Sequence, residues 1–352
     1  MKTTFRLSAL VLLGIWAIQV LPAFRGLTQG SVLVAAPAAG RTQDERPKDK
    51  ETKHSGKKKD KAAGYQDDTP VLWKDRGAIE SLDLYNGIGG AGEAPDLSGK
   101  FTFVERDKKG SQKKIIVKDA KGGEWIVKFG QEARPETAST RIVWAMGYHT
   151  DEDYFVPRVH IDGLKDDAVD VRLKRRHYGY KDIGNWSWEQ NPFVGTRELD
   201  GLKVLMVLLD NWDLKTVNNK IVVAGKKHSA DSGEKIYYVG DLGATFGKTG
   251  AFSGFKDGLP LLPGTKDKPG QYAHQSFVEG VKGGAVQFHY KGKDQSTVKG
   301  IPAEHVRWIA SLLSRLSDRQ LADAFRAAGY DDGEINTLVS AMRHRIDELQ
   351  SL

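Results

Sequence analysis

The chain has 352 residues, 53 Lys and Arg against 46 Asp and Glu, a formal net charge of +7, and no cysteine. Disulfides, cysteine-ligated zinc, a thiol nucleophile and a lipoprotein anchor are therefore excluded. The positive excess is local: residues 1–63 carry twelve basic and five acidic side chains, and the rest carries 41 of each, so the body of the chain has no bulk basic field for nucleic acid.

Residues 1–38 read as a signal peptide or membrane anchor. Lys2 and Arg6 precede an apolar run from Leu7 to Phe24, and Ala36-Pro37-Ala38 is a candidate cleavage site. A cleaved signal fits the small residues that follow, and a retained anchor is the alternative. Either places the protein outside the cytoplasm, periplasmic or secreted, with membrane contact only through an uncleaved N-terminus. Residues 39–70 are rich in Lys, Asp, Glu and Thr and poor in large apolar residues, which predicts a disordered tether.

Globular patterning starts near Val71. Residues 101–107, 114–119 and 124–129 are rich in β-branched and aromatic side chains, and glycine-bearing polar turns separate them, so an antiparallel meander is predicted. Pro135 opens a helix through Met146 with Ala138, Ile142, Ala145 and Met146 as its apolar stripe. Strands are predicted at 154–161 and 168–174, a buried helix at Leu202–Leu209, and two strands at Lys220–Ala224 and Lys235–Val239. The last fifty residues show helical periodicity, with a capping box at Ser317 and Gln320. Strands first and helices later make the chain α+β: a small β-rich N-lobe (71–176) and an α-rich C-lobe (177–352) carrying a hairpin.

The chemistry concentrates at that hairpin. Asp213 is followed five residues later by Asn218, then by two strands and Asp241-Leu242-Gly243. Phosphoryl transfer needs metal held on the phosphates and an acceptor hydroxyl oriented in line. Asp213 suits a proton acceptor, Lys215 a neutraliser of the moving phosphoryl, and Asn218 and Asp241 suit Mg²⁺ ligands. Lys128 ends an apolar strand and can reach phosphates, with Glu136 as ion-pair partner and Glu132 as competitor. Gly110, Ser111 and Gln112 lie in the turn before, where backbone N–H groups could cradle phosphates.

Other features read as structure. Gly87–Gly92 matches G-x-G-x-x-G, but neither a strand before it nor a helix after it supports a dinucleotide fingerprint. Gly243–Thr249 misses a phosphate-binding P-loop by one residue and opens a loop through Gly254, Gly258 and Gly264. Trp186 and Trp188 suit a core or an acceptor-cleft wall. Arg172, Lys174, Arg175 and Arg176 suit a solvated strand end or a contact to an acidic substrate.

Gly110-Ser111-Gln112-x-Lys114, Trp125–Lys128, Asp213-x-x-x-x-Asn218 and Asp241-x-Gly243 together resemble the protein-kinase-like fold of HipA-type Ser/Thr kinases and phosphoinositide lipid kinases. The resemblance spans about residues 101–260. It implies ATP held by Lys128 and the turn at 110–112, catalysis by Asp213, and Mg²⁺ on Asn218 and Asp241. The chain departs from ordinary protein kinases in placing Asn211-Trp212 before Asp213. Segments bearing Glu136, Arg141, Trp144 and Gly147, and Asp241–Gly250, are similar to a group of exported bacterial proteins, from which no function carries over. The expectation is an exported kinase-like phosphotransferase acting from Mg-ATP on a Ser/Thr or small-molecule hydroxyl. A catalytically inactive kinase-fold binding module and a structural envelope protein are the rivals.

Overall fold

The computed structural model describes residues 67–107, 112–176, 180–224, 233–250 and 263–352. The expected signal or anchor, nearly all of the tether, Gly110, Ser111, Gly254 and Gly258 lie outside the described residues. Among those described, no helix is long and apolar enough to cross a membrane.

Among the described residues strand β1 (Thr69–Val71) comes first, and it takes in the last two residues of the expected tether. β2 (Phe101–Asp107), β3 (Lys114–Lys118) and β4 (Glu124–Phe129) form the antiparallel meander. Helix α1 (Ala133–Ala145) begins two residues before Pro135, because proline is tolerated throughout a first turn whose N–H groups lack helical partners. β5 (His149–Thr150), β6 (Asp153–Val159), β7 (Ile161–Asp162) and β8 (Ala168–Arg175) follow. The sheet runs β6-β8-β4-β3-β2-β7. Since one residue separates β6 from β7, a single stretch of chain borders both edges and the sheet curls onto itself.

Period-two alternation divides this sheet. Phe101, Ile115, Val117, Val127, Val171 and Leu173 fill the enclosed face. On the other face, Lys114 stands opposite Lys128, Lys128 opposite Arg172, and Ile126 opposite both Ile116 and Lys174. A row of cations, flanked by isoleucines on β3 and β4 and by Lys174 on β8, therefore crosses three neighbouring strands.

The second sheet joins β9 (Tyr180–Gly184), β10 (Asn219–Ala224) and β11 (Glu234–Val239), with α2 (Arg197–Leu208) between β9 and β10. β1 and β5, neither foreseen as a strand, both pair parallel with β11 and so belong to the second sheet. At three and two residues, they are too short for alternation to reveal them. A short helix α3 (Pro269–Ala273), the hairpin β12 (Val278–Lys282) and β13 (Ala285–Phe288), and helices α4 (Ala303–Leu313), α5 (Asp318–Ala327) and α6 (Asp332–Gln350) complete the described fold. The capping box at Ser317 and Gln320 is formed, and a second occupies Asp331 and Glu334. One large core takes the apolar faces of α1, α2 and α4–α6 together with Leu72, Ile79 and Leu84. Trp186 and Trp188 are buried in it edge to face, with ring centroids 4.9 Å apart, and so are core rather than cleft wall.

Gly147 ends α1 with φ +97°, and a Cβ there would lie 2.2 Å from Trp73 Nε1 and 2.6 Å from the Lys74 carbonyl oxygen. Gly147→Ala combines left-handed strain with a backbone clash. It is expected to cost about 2–4 kcal/mol in denaturant unfolding, beyond the usual glycine-to-alanine effect. A variant within 0.5 kcal/mol of wild type, an order of magnitude borrowed from ordinary surface changes, would contradict that packing.

Candidate functional site

Lys128 is the centre of the site. It sits in β4, paired on both sides, and is 1% exposed. A buried ammonium needs anionic partners. Its Nζ lies 2.5 Å from Glu132 Oε2, 2.7 Å from Asp241 Oδ1 and 3.0 Å from Glu136 Oε2. Glu132 is the residue before α1 and Glu136 lies in its first turn, so the helix start points two acids at the strand lysine. Burial pulls the Lys128 pKa down, but Glu136, Asp241 and Glu132 outweigh it and hold the ammonium well above its ordinary value. Burial likewise pushes the carboxyls of Asp241 and Glu132 up, and Lys128 turns both below the usual range.

The network continues inward. Glu136 Oε1 accepts an ion pair from Arg172 at 3.1 Å, and Arg172 reaches Asp153 Oδ1 at 2.6 Å. Lys174 and Tyr238 both pair with Asp151. Arg172 was foreseen only as part of a basic strand end, whereas the structure buries it to 3% between two acids. Its signal was the alternation Val171-Arg172-Leu173-Lys174, which sets two cations on one face of a strand.

Asp241 follows β11 and adopts φ +57°, a left-handed conformation that Asp tolerates. Two residues on, Gly243 packs against Glu132 so closely that a Cβ would lie 2.6 Å from Glu132 Cβ. The Asp-Leu-Gly turn and the start of α1 are thus in direct contact.

The loop 210–218 leaves α2 through Asp210, whose buried carboxylate meets Arg345 at 2.9 Å. Asn211 Oδ1 accepts from the Asp213 backbone N–H at 3.2 Å. Asn185 Nδ2 donates to the carbonyls of Val217 at 3.1 Å and Asn219 at 2.7 Å, which fixes the far end of the loop. Asn218 Nδ2 donates to the Asp213 carbonyl at 3.1 Å, turning its amide oxygen the other way. Both carboxylate oxygens of Asp213 are engaged: Oδ2 by Lys215 and Oδ1 by Lys293, each at 2.8 Å. Its hydrogen bond to Asp213 raises the Lys215 pKa, and the charge of Asp241 adds to the rise. No sequence signal marked Lys293, eighty residues downstream.

A cleft of about 980 Å³ opens between the two sheets. Lys114, Ile116, Ile126, Glu136, Arg172 and Lys174 line one wall, and Asn218, Lys220, Tyr238 and Asp241 the other. Glu136, Asn218 and Asp241 therefore face one space, Lys128 touches two of them, and Asp213 is one hydrogen bond from its wall. Gln112 is placed with its Oε1 beside Gly130 and is not among the cleft-lining residues. The Gly87–Gly92 loop packs on Arg141 and Glu152, away from the cleft wall.

No family model matches the chain, and no curated protein does. Among solved structures, it is similar to a Helicobacter pylori proinflammatory kinase, CtkA, with TM-score 0.41 and 12% identity over 71% of this chain and 96% of that one.

Proposed function

We propose that this protein is a kinase-like phosphotransferase that moves a phosphoryl group from a Mg-nucleotide such as ATP to a hydroxyl of a protein or small molecule. The two sheets are then the two lobes of a bilobal fold, and the cleft between them is the nucleotide site. The observation that carries the reading is the meeting of Lys128, Glu136 and Asp241, from β4, α1 and the turn after β11, at a cleft that Asn218 also lines.

The donor set suits a magnesium ion. Asp241 offers a carboxylate and Asn218 an amide oxygen on the same wall, and hard oxygen ligands of this kind hold Mg²⁺ together with phosphate and water. Magnesium would supply charge neutralisation on the phosphates. Lys128 would bind phosphate oxygens, with Glu136 and Arg172 fixing its position. Lys215, paired with Asp213 Oδ2 at 2.8 Å, would neutralise charge on the transferring phosphoryl. Asp213 would orient the acceptor hydroxyl and take its proton as the new P–O bond forms and the nucleotide diphosphate leaves. The catalytic demand is positioning and electrostatics rather than covalent chemistry. If the N-terminal segment exports the chain, this reaction runs outside the cytoplasm.

Thermal unfolding with and without nucleotide tests the binding half. ATP with Mg²⁺ is expected to raise the midpoint in proportion to the logarithm of ligand concentration, and Mg²⁺ alone to do much less. The shift should vanish in Asp241→Asn. No shift with ATP, GTP or their diphosphates at millimolar concentration would end the nucleotide reading.

A further inference from the structure

Lys128 has three N–H hydrogens, and three carboxylate oxygens stand within 3.0 Å of its nitrogen. Glu136 and Asp241 accept its hydrogen bonds and Glu132 stands at 2.5 Å as an ion pair, so three acids crowd the ammonium where a phosphate oxygen would sit. A nucleotide phosphate can bind Lys128 only when one of the three acids leaves.

The three are not equally held. Glu136 is 1% exposed and pinned on its second oxygen by Arg172, so its departure would strand two buried charges. Asp241, although its side chain is 46% exposed, is held by a turn whose Gly243 packs against the Glu132 backbone and Cβ. Glu132 differs. The hydrogen bonds of Lys128 run to Glu136 and Asp241, while Glu132 is held as an ion pair, and its other oxygen already pairs with Lys266 at 2.5 Å. It also makes no side-chain capping bond to α1, so no helix contact is lost when the carboxylate turns. A second consideration has the same sign. A Mg-nucleotide brings net negative charge to a site where Glu132, Glu136 and Asp241 already surround one lysine.

Building on the nucleotide reading, we infer that Glu132 is a gating residue. In the empty site it occupies the phosphate-binding position on Lys128, and it must swing onto Lys266 for a nucleotide to bind. Lys266 is the receiver that makes this swing possible. The open arrangement is a minor state of the empty protein, so the apparent nucleotide affinity is reduced by the fraction of molecules that are open. Because Lys266 belongs to the segment that returns from the Asp241 loop, the position of that segment sets how readily the site opens.

The test is nucleotide affinity, measured by calorimetry with Mg-ADP on the full chain, and it needs no acceptor substrate. Glu132→Gln keeps the shape and the contact to Gly243 but removes the charge, and it is expected to tighten Mg-ADP binding on the order of tenfold. Lys266→Met removes the receiver and is expected to weaken binding several-fold, by a ratio of roughly three to ten. The double variant should match Glu132→Gln, since a missing acid needs no receiver. Unchanged or weakened binding in Glu132→Gln, with folding intact by circular dichroism, would overturn the gate, as would a double variant as weak as Lys266→Met. Those results leave the nucleotide site standing. If neither wild type nor any variant binds Mg-ADP, the nucleotide reading itself has failed.

Discussion

Lys128→Met is expected to destabilise the protein by about 3–5 kcal/mol in denaturant unfolding, the range for breaking a buried ion pair by removing one partner. Both Lys128 and Glu136 are 1% exposed, so neither can recruit water in the other's absence. The loss should depend on pH with a definite sign. In wild type, Lys128 holds the Asp241 and Glu132 carboxyls below their ordinary values. Their stabilising contribution is present above the unfolded value, about 4, and fades as pH falls through the lowered ones. In the variant only Lys266 remains on Glu132 and only Lys114 and Arg172 act on Asp241, so burial meets less opposition and the folded-state values rise relative to wild type. Raised groups favour the folded state below their unfolded value, and that support is lost as pH rises. The gap between wild type and Lys128→Met should therefore narrow from pH 7 toward pH 4. A variant within about 1 kcal/mol of wild type at pH 7, an ordinary effect for a point change, would mean that the buried acids do not depend on this lysine.

Asp213→Asn is expected to reduce phosphoryl transfer by about 10²- to 10⁴-fold, the span for loss of a positioned proton acceptor. Mg-nucleotide binding should survive, because Asp213 lies behind Asn218 rather than on the cleft wall. The change also removes one negative charge beside Lys215 and Lys293, which pair with its two oxygens. Nucleotide affinity should consequently stay level or rise. Transfer from radiolabelled ATP, scored on the protein itself and on released phosphate, separates the outcomes. Full transfer in Asp213→Asn would remove the assigned role. Nucleotide binding with no transfer by wild type to any acceptor would favour a binding module of the same fold.

The strands of the first sheet were legible because their alternation is long enough to show. Residues 101–107 and 124–129 form strands of those bounds, since β-branched and aromatic side chains repeat across an inner apolar face. β1 and β5 escaped because two or three residues carry no period, and only parallel pairing with β11 defines them. The helix at Leu202–Leu209 is five residues longer at its start, where Thr196 caps a first turn of Arg197, Glu198 and Leu199 that the apolar run does not include.

At the site, sequence spacing located Asp213, Asn218 and Asp241 because a hairpin fixes the interval between loop and turn. It also named both acids near Lys128, since residues four and eight positions on from a strand end fall at the next helix start. That Glu132 and Glu136 would hold the lysine together could not be read, because the choice depends on side-chain direction and on Gly243 pressing from the other side. Lys266 and Lys293 were invisible for the same reason. Each arrives through chain folding from more than seventy residues beyond the acid it meets.

What the sequence determined by itself was local: which stretches alternate, where helices start and stop, and which polar residues stand at fixed short intervals. Those features follow from backbone sterics and side-chain periodicity within a few residues. Only the tertiary structure decided that the cations of β3, β4 and β8 stand in one row and that three acids converge on one of them. Pairing register and electrostatic neutralisation are set between segments, and the free energy of burying a charge depends on whichever partner the fold brings to it.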